Sequence, residues 1–327
     1  MMLKFDRAVL GRQAQELGFV RDTYEKMCRL SDVLAFIGKD ALLSESLALK
    51  GGTAINLTIF NLPRLSVDID LDYTDNTSRA DMLETRKLIT DRIGKHMAAA
   101  GYSLSTKTKR YHALDSFIYT YQNAGGMNDN IKIEINYMLR CHVLPLSRRL
   151  LQLPDASVKT TVLSVDPIEI FGAKSVALLS RAAPRDLYDL HQMLRYGLLD
   201  ASEEPMLKKC IVFYSAIASE TIPEAFTYDR IDTITRYKIR TELLPVIRKK
   251  EQFDLSSAQK EVKAYLAGLL TLDEKEKQFL GAFRQKDYRP ELLFSDKIVL
   301  ERIAQHPMAL WKCREAERKK NKGDIEL

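Results

Sequence analysis

The first hydrophobic periodicity along the chain is helical. Over residues 6–38, Ala14, Leu17, Val20, Tyr24, Met27 and Leu30 recur at helical spacing, which predicts one or two helices. A short apolar run at 46–50 predicts a strand running into the Gly51-Gly52 pair. Residues 53–60 predict a helix, and Pro63 ends that unit. Next, Val67, Ile69 and Leu71 alternate with Asp68 and Asp70, the period of a strand with one apolar face. Residues 78–100 predict a helix with Ser78 as cap, Met82, Ile89, Ile93 and Met97 as its apolar stripe, and Gly101 at its end. Three β-like runs follow at 102–110, 115–122 and 131–137, the last two joined by the turn-rich Asn-Ala-Gly-Gly-Met-Asn-Asp-Asn. A further extended run, 158–164, precedes Pro167, and from there the pattern is mainly helical. The fold class expected is α+β. The expected domains are 1–166, carrying the sheet behind N-terminal helices, and 167–327, which is helical. The charged tail Arg314 to Lys322 reads as a solvated helix end.

Composition narrows this only a little. Apolar residues make up 46% of the chain, enough for a sizeable core. No stretch of eighteen apolar residues and no signal-peptide pattern is present, so a cytoplasmic protein with no membrane role is expected. Cys28, Cys141, Cys210 and Cys313 are scattered without a CxxC pair, which gives no ground for a disulfide framework or structural zinc site. A formal charge of +6 permits a polyanionic partner without demanding one.

The chemistry concentrates in four places. Asp68 and Asp70 share one strand face, and two acids held that close repel unless a cation sits between them. Hard oxygen ligands suit Mg²⁺ together with substrate phosphates. Asp72 lies on the same face, further along, as a peripheral acid. In Ile131-Lys132-Ile133-Glu134-Ile135-Asn136, the residues Lys132, Glu134 and Asn136 share a face. If that strand lies beside the first, Glu134 completes a three-carboxylate cluster able to hold two ions about 4 Å apart for phosphoryl displacement. The alternative is an amphipathic strand with a solvated polar face. Gly51 and Gly52, followed by Thr53, let backbone approach a ligand at a helix start, although a glycine pair is more often simply a turn. Lys174 lies in an apolar helix with Arg181 near the same side. It needs either an anion, such as a triphosphate, or a route to solvent. After Pro184, Asp186 and Asp189 share a helical face, and the competing explanation is first-turn acids that complement the helix dipole.

Taken together, Lys50-Gly51-Gly52-Thr53-Ala54, Arg64-Leu65-Ser66-Val67-Asp68-Ile69-Asp70-Leu71, Ile131 to Ile135, Lys174 to Arg181, Arg185 to Leu190 and Arg289 to Phe294 resemble the AbiEii/AbiGii nucleotidyltransferase toxin family, which includes the MenT toxins. The Gly-Gly…Asp-x-Asp part alone points to the wider DNA polymerase β-like nucleotidyltransferase superfamily. The resemblance implies a polymerase β-like core with a small mixed sheet, and a helical C-terminal domain that contributes to the NTP and acceptor cleft. It implies transfer of a nucleoside monophosphate from an NTP with Mg²⁺, two ions by the acid count, to the 3′ end of tRNA. It also implies a role in a toxin–antitoxin or abortive-infection system against phage. The antitoxin partner implied is an upstream-encoded winged-helix protein or a kinase that phosphorylates Ser66. On this reading Asp68, Asp70 and Glu134 bind metal. Gly51, Gly52, Thr53, Ser66, Lys174 and Arg181 bind the nucleotide, and Asp186, with Asp189 as the alternative, orients Lys174 or an arginine of the second domain. No basic cluster near the acids stands out as a tRNA groove. Two other readings use the same residues: a nucleotidyltransferase acting on a small molecule or protein hydroxyl, and a non-enzymatic binding protein.

Overall fold

A computed structural model describes residues 5–152, 159–219 and 221–314, so the charged tail beyond Arg314 lies outside the described residues. Its contacts divide the chain into two compact units. The first comprises the chain up to Arg140, Leu146–Val165 and Arg240–Gln252. The second comprises Cys141–Pro145, Asp166–Ile239 and the chain from Phe253 onward.

The first unit opens with α1 (Arg7–Leu17) and α2 (Arg21–Lys39). Asp6 caps α1 through the Ala8 and Val9 N–H groups, and Gly18, with φ at 81°, ends it. Of the one or two helices predicted over 6–38 there are two, broken where a left-handed residue is available. The short α3 (Leu43–Ser46) leads into β1 (Leu47–Lys50), then α4 (Gly51–Ala54), which widens into a π-helical turn over Ile55–Ile59. β2 (Asp68–Tyr73) precedes α5 (Arg79–Ala99), whose Ser78 cap accepts from the Asp81 N–H. The remaining strands are β3 (Ser103–Leu104), β4 (Lys109–Arg110), β5 (Leu114–Gln122), β6 (Asn128–Asn136), β7 (Ser147–Leu150) and β8 (Thr161–Ser164).

These eight strands form one mixed sheet in the order β3-β5-β6-β2-β1-β8-β7, with β4 also paired to β5. β2 runs parallel to β6 and antiparallel to β1. One sheet face is apolar: Ile69, Leu71, Phe117, Ile131, Ile133 and Ile135 are all buried. Helix α2 packs against β6 and β8. Each such side chain stabilises the fold by roughly 2 kcal/mol, and together they fix the register, because a one-residue slip would turn every one of them to the other face.

Two differences from the sequence pattern have local causes. The run 102–110 is not one strand. It breaks at a turn in which the Thr108 N–H donates to the Ser105 carbonyl, leaving β3 and β4 as separate short partners of β5. β7 was not predicted: its Ser-Arg-Arg-Leu lacks apolar alternation, since it is an edge strand.

The second unit is helical. It contains α6 (Pro167–Arg181), α7 (Pro184–Arg195), α8 (Glu204–Ala218), α9 (Asp229–Asp232), α10 (Arg236–Lys238), α11 (Leu255–Leu269), α12 (Glu274–Arg284) and α13 (Lys297–Ile303). Asp166 caps α6 with Pro167 at its first position, and α7 likewise begins with Pro184. Phe213 of α8 meets the rings of Phe279, Phe294 and His306 at the centre of this core. Glu169, fully buried in α6, accepts from the Val143 and Leu144 N–H groups, His142 and the Tyr214 hydroxyl. Burial alone would raise its pKa, but His142 and these donors hold it below the usual carboxylate value. The segment Cys141–Pro145 is tied to the second unit in this way.

One glycine in each unit sets a close helix approach. A Cβ on Gly38 in α2 would overlap the Thr161 carbonyl oxygen of β8, and a Cβ on Gly172 in α6 would come within 2.7 Å of the Cys210 Cβ in α8. Helix propensity favours alanine by about 1 kcal/mol, yet overpacking costs about 1–3 kcal/mol. Gly38→Ala and Gly172→Ala should therefore each lower stability in urea denaturation. A gain in stability from either would contradict this packing.

Candidate active site

β2 and β6 bring the predicted acids to one place. Asp70 pairs in register with Glu134, and Asp68 with Lys132. Side chains at such positions project from the same face, with strands about 4.8 Å apart. Asp68, Asp70 and Glu134 are half-buried there. The Glu134 carboxylate receives the Lys132 ammonium at 2.9 Å. Partial burial would lower the Lys132 pKa, but the Glu134 hydrogen bond and the charges of Glu134, Asp68 and Asp70 raise it instead. Lys132 is thus an internal cation among three acids. Among the described residues no three His, Cys, Asp or Glu side chains converge closely enough to hold a metal ion, and Glu134 is turned to its lysine. Asp72 is buried and bonded to Lys50 at 2.5 Å, which places it in a structural ion pair.

The Gly-Gly turn serves the acids directly. Gly51 has φ of +66°, a conformation that favours glycine, and a Cβ there would sit 2.6 Å from the Asp70 Oδ2. A Cβ on Gly52 would meet the Arg64 Nη2 at 2.6 Å. Arg64 is buried, and its Nη1 donates to the Leu65 carbonyl at 3.1 Å. The space beside each glycine is therefore taken by the protein's own Asp70 and Arg64. Thr53 is fully buried and donates its hydroxyl proton to the Asp68 carbonyl, so the Ser66 hydroxyl donates to Thr53 across 2.6 Å. Thr53 and Ser66 fix the start of β2 and hence the direction of Asp68.

Lys174, Arg181, Asp186 and Asp189 are all in the second unit. The Lys174 ammonium lies 2.7 Å from Asp186 and 3.0 Å from Asp189. Arg181 adds two hydrogen bonds to Asp186, at 2.7 and 3.0 Å, from a largely exposed side chain. Two of the anions that Lys174 meets are therefore aspartates of its own unit. Burial would raise the Asp186 pKa, but Lys174 and Arg181 outweigh it and hold the carboxyl at about 2. Asp186 and Asp189 are one helical turn apart on α7 and present both carboxylates to one ammonium.

Two residues of this region carried no assigned role in the sequence. Lys132 was visible as a face-mate of Glu134, but its pairing was not. Arg64 opens the run Arg64 to Leu71 but was given no role, and only its tertiary contact with Gly52 shows it to be buried.

The acid set fits a divalent cation. It offers hard carboxylate oxygens on one half-open face, and it already surrounds a positive charge, that of Lys132. The sheet unit carries paired acids beside a Gly-Gly turn, and the helical unit carries a lysine held by two aspartates. The chain belongs to the nucleotidyl transferase AbiEii toxin family of type IV toxin–antitoxin systems, whose family model matches residues 36–286. Members of this family transfer a nucleoside monophosphate from an NTP. The fold is similar to that of MenT4, a nucleotidyltransferase toxin from Mycobacterium tuberculosis, with a TM-score of 0.64 at 18% identity over 94% of this chain and 99% of that one. No curated protein matches by sequence. No described helix is long and apolar enough to cross a membrane.

The Asp186 pair predicts a pH dependence. Its folded pKa, about 2, lies below the ordinary 3.8, so its stabilisation is complete above about pH 4 and is lost as pH falls towards 2. The shift corresponds to about 2 kcal/mol at neutral pH and about half that near pH 3. Asp186→Asn should destabilise the protein by about that amount at pH 7 and by clearly less at pH 3 in urea titrations. Equal destabilisation at both pH values would contradict the assignment.

Proposed function

We propose that this toxin transfers a nucleoside monophosphate from an NTP to an RNA acceptor, the 3′ end of tRNA, in the cytoplasm. The observation that carries the reading is the in-register pairing of Asp70 with Glu134, beside Asp68, around a bound positive charge. Asp68, Asp70 and Glu134 are the residues that would hold Mg²⁺, as one or two ions. When bound, Mg²⁺ supplies Lewis-acid activation of the acceptor hydroxyl and neutralises charge on the departing pyrophosphate.

The chain's own residues supply positioning. Gly51 leaves room for the Asp70 carboxylate, while Thr53 and Ser66 hold the Asp68 backbone. Gly51, Gly52, Thr53 and Ser66 shape the triphosphate end of the site indirectly, by making room for Asp70 and Arg64 and by holding the Asp68 backbone. Lys174 and Arg181 supply cationic contacts to the NTP phosphates. A point charge on a flexible stem suits a group whose geometry changes during transfer. Asp186 and Asp189 keep the Lys174 ammonium oriented until the phosphates take it up.

The physiological setting that follows is growth arrest through blocked tRNA charging, used against phage and restrained by a cognate antitoxin. Both a winged-helix partner and a kinase acting on Ser66 are compatible with this reading. A phosphate on Ser66 would break its hydrogen bond to Thr53 and add negative charge beside the acids.

Incubation of the full chain with each labelled NTP, Mg²⁺ and total tRNA tests the proposal. Wild type should label tRNA, and Asp70→Asn should lose about 10- to 100-fold of the incorporation while still unfolding cooperatively, which separates lost chemistry from a lost fold. Undiminished incorporation by Asp70→Asn would remove the acids from the chemistry. If wild type labels a small molecule or protein and no RNA, the acceptor must be reassigned. Ser66→Glu should lower incorporation in the same assay, and unchanged labelling would argue against control through that hydroxyl.

A further inference from the structure

The register of the sheet extends the acid row outward to a lysine with nothing to neutralise. Lys109 of β4 lies opposite Ser116, Ser116 opposite Glu134, Glu134 opposite Asp70, and Asp70 opposite Lys50. Directly paired residues project from the same face, so Lys109, Ser116, Glu134, Asp70 and Lys50 form one line across five strands. The other lysines of this face are engaged: Lys50 with Asp72 at 2.5 Å and Lys132 with Glu134 at 2.9 Å. Lys109 is exposed, and its ammonium makes no hydrogen bond or ion pair with any described residue. Exposed Lys107 in the turn before β4 and exposed Tyr111 just after it flank Lys109 in sequence. Arg110 points to the opposite face, over the Phe117 ring at 5.4 Å.

We propose that Lys109, with Lys107 and Tyr111, forms the landing strip for the phosphate backbone of the RNA acceptor, one or two nucleotides before the hydroxyl that attacks. This rests on the nucleotidyltransferase reading of the acids and specifies how a polymeric acceptor meets them. Two strand spacings put Lys109 about 10 Å from Glu134 along the row. A small-molecule acceptor that reaches the acids ends short of that distance and gains nothing from Lys109. A nucleic-acid strand crosses it, and its backbone charge, repelled by the three acids, is attracted by an uncompensated ammonium at that range. Tyr111 adds an exposed ring on which an unpaired base can stack.

The test uses the full chain and fluorescently labelled total tRNA without NTP, with binding followed by anisotropy at several salt concentrations. Lys109→Glu and the double variant Lys107→Ala/Lys109→Ala should bind more weakly. The double variant's log–log salt slope should fall by about 0.7 for each phosphate contact removed from a single strand. Thermal shifts with NTP and Mg²⁺ should stay at the wild-type value, which separates a lost RNA contact from a damaged fold or nucleotide site. If the variants bind and label tRNA as wild type does, with the same salt slope, the β4 surface is not the acceptor site while the function proposed above stands. If wild type itself neither binds nor labels RNA, both fall together.

Discussion

Three carboxylates on one face of a sheet are the constraint around which the first unit is arranged. Two such charges about 5 Å apart cost on the order of 3 kcal/mol in a half-screened setting. Asp68, Asp70 and Glu134 are nevertheless held in neighbouring positions, because the opposite face of the same strands carries Ile69, Leu71, Ile133 and Ile135, all buried. That apolar face gains roughly 2 kcal/mol per side chain and would be lost by any slip that separated the acids. Hydrophobic burial therefore imposes the electrostatic strain, and cations must relieve it. Lys132 does so at Glu134 and Lys50 does so at Asp72.

The second unit shows the converse arrangement. Here one ammonium, Lys174, is surrounded by two buried aspartates, and the exposed Arg181 completes the neutralisation. Removing one partner of such a cluster leaves an uncompensated buried charge, so the group is rigid until an outside anion competes for the cations. The second cluster is balanced, two cations against two carboxylates, whereas the first keeps an excess of negative charge.

Much of this was legible in the sequence where the signal was local. The alternation at Asp68–Asp70 and at Lys132–Glu134 put these residues on one face each, and Ser78, Pro167 and Pro184 marked helix starts that the structure retains. Non-local features were not legible. The edge strand Ser147–Leu150 has no pattern of its own and exists only through β8. Arg64 is buried because the Gly52 backbone leaves room for it. Lys109 looks like one more surface cation until the β4–β5–β6–β2 pairing lines it up with the acids. The nucleotide-binding roles given to Ser66 and Arg181 came from family resemblance, while for Lys174 the apolar helix around it already allowed either an anion or a route to solvent.

The central claim proposed above is that the acid face takes a divalent cation and that Lys132 only partly offsets its charge when no metal is bound. A crystal of the full chain grown with Mn²⁺ and a non-hydrolysable NTP, mapped by anomalous scattering, addresses it most directly. The account predicts anomalous density at Asp68 and Asp70, with Glu134 turned from Lys132 towards it. Manganese bound elsewhere with the Lys132–Glu134 pair intact would contradict it.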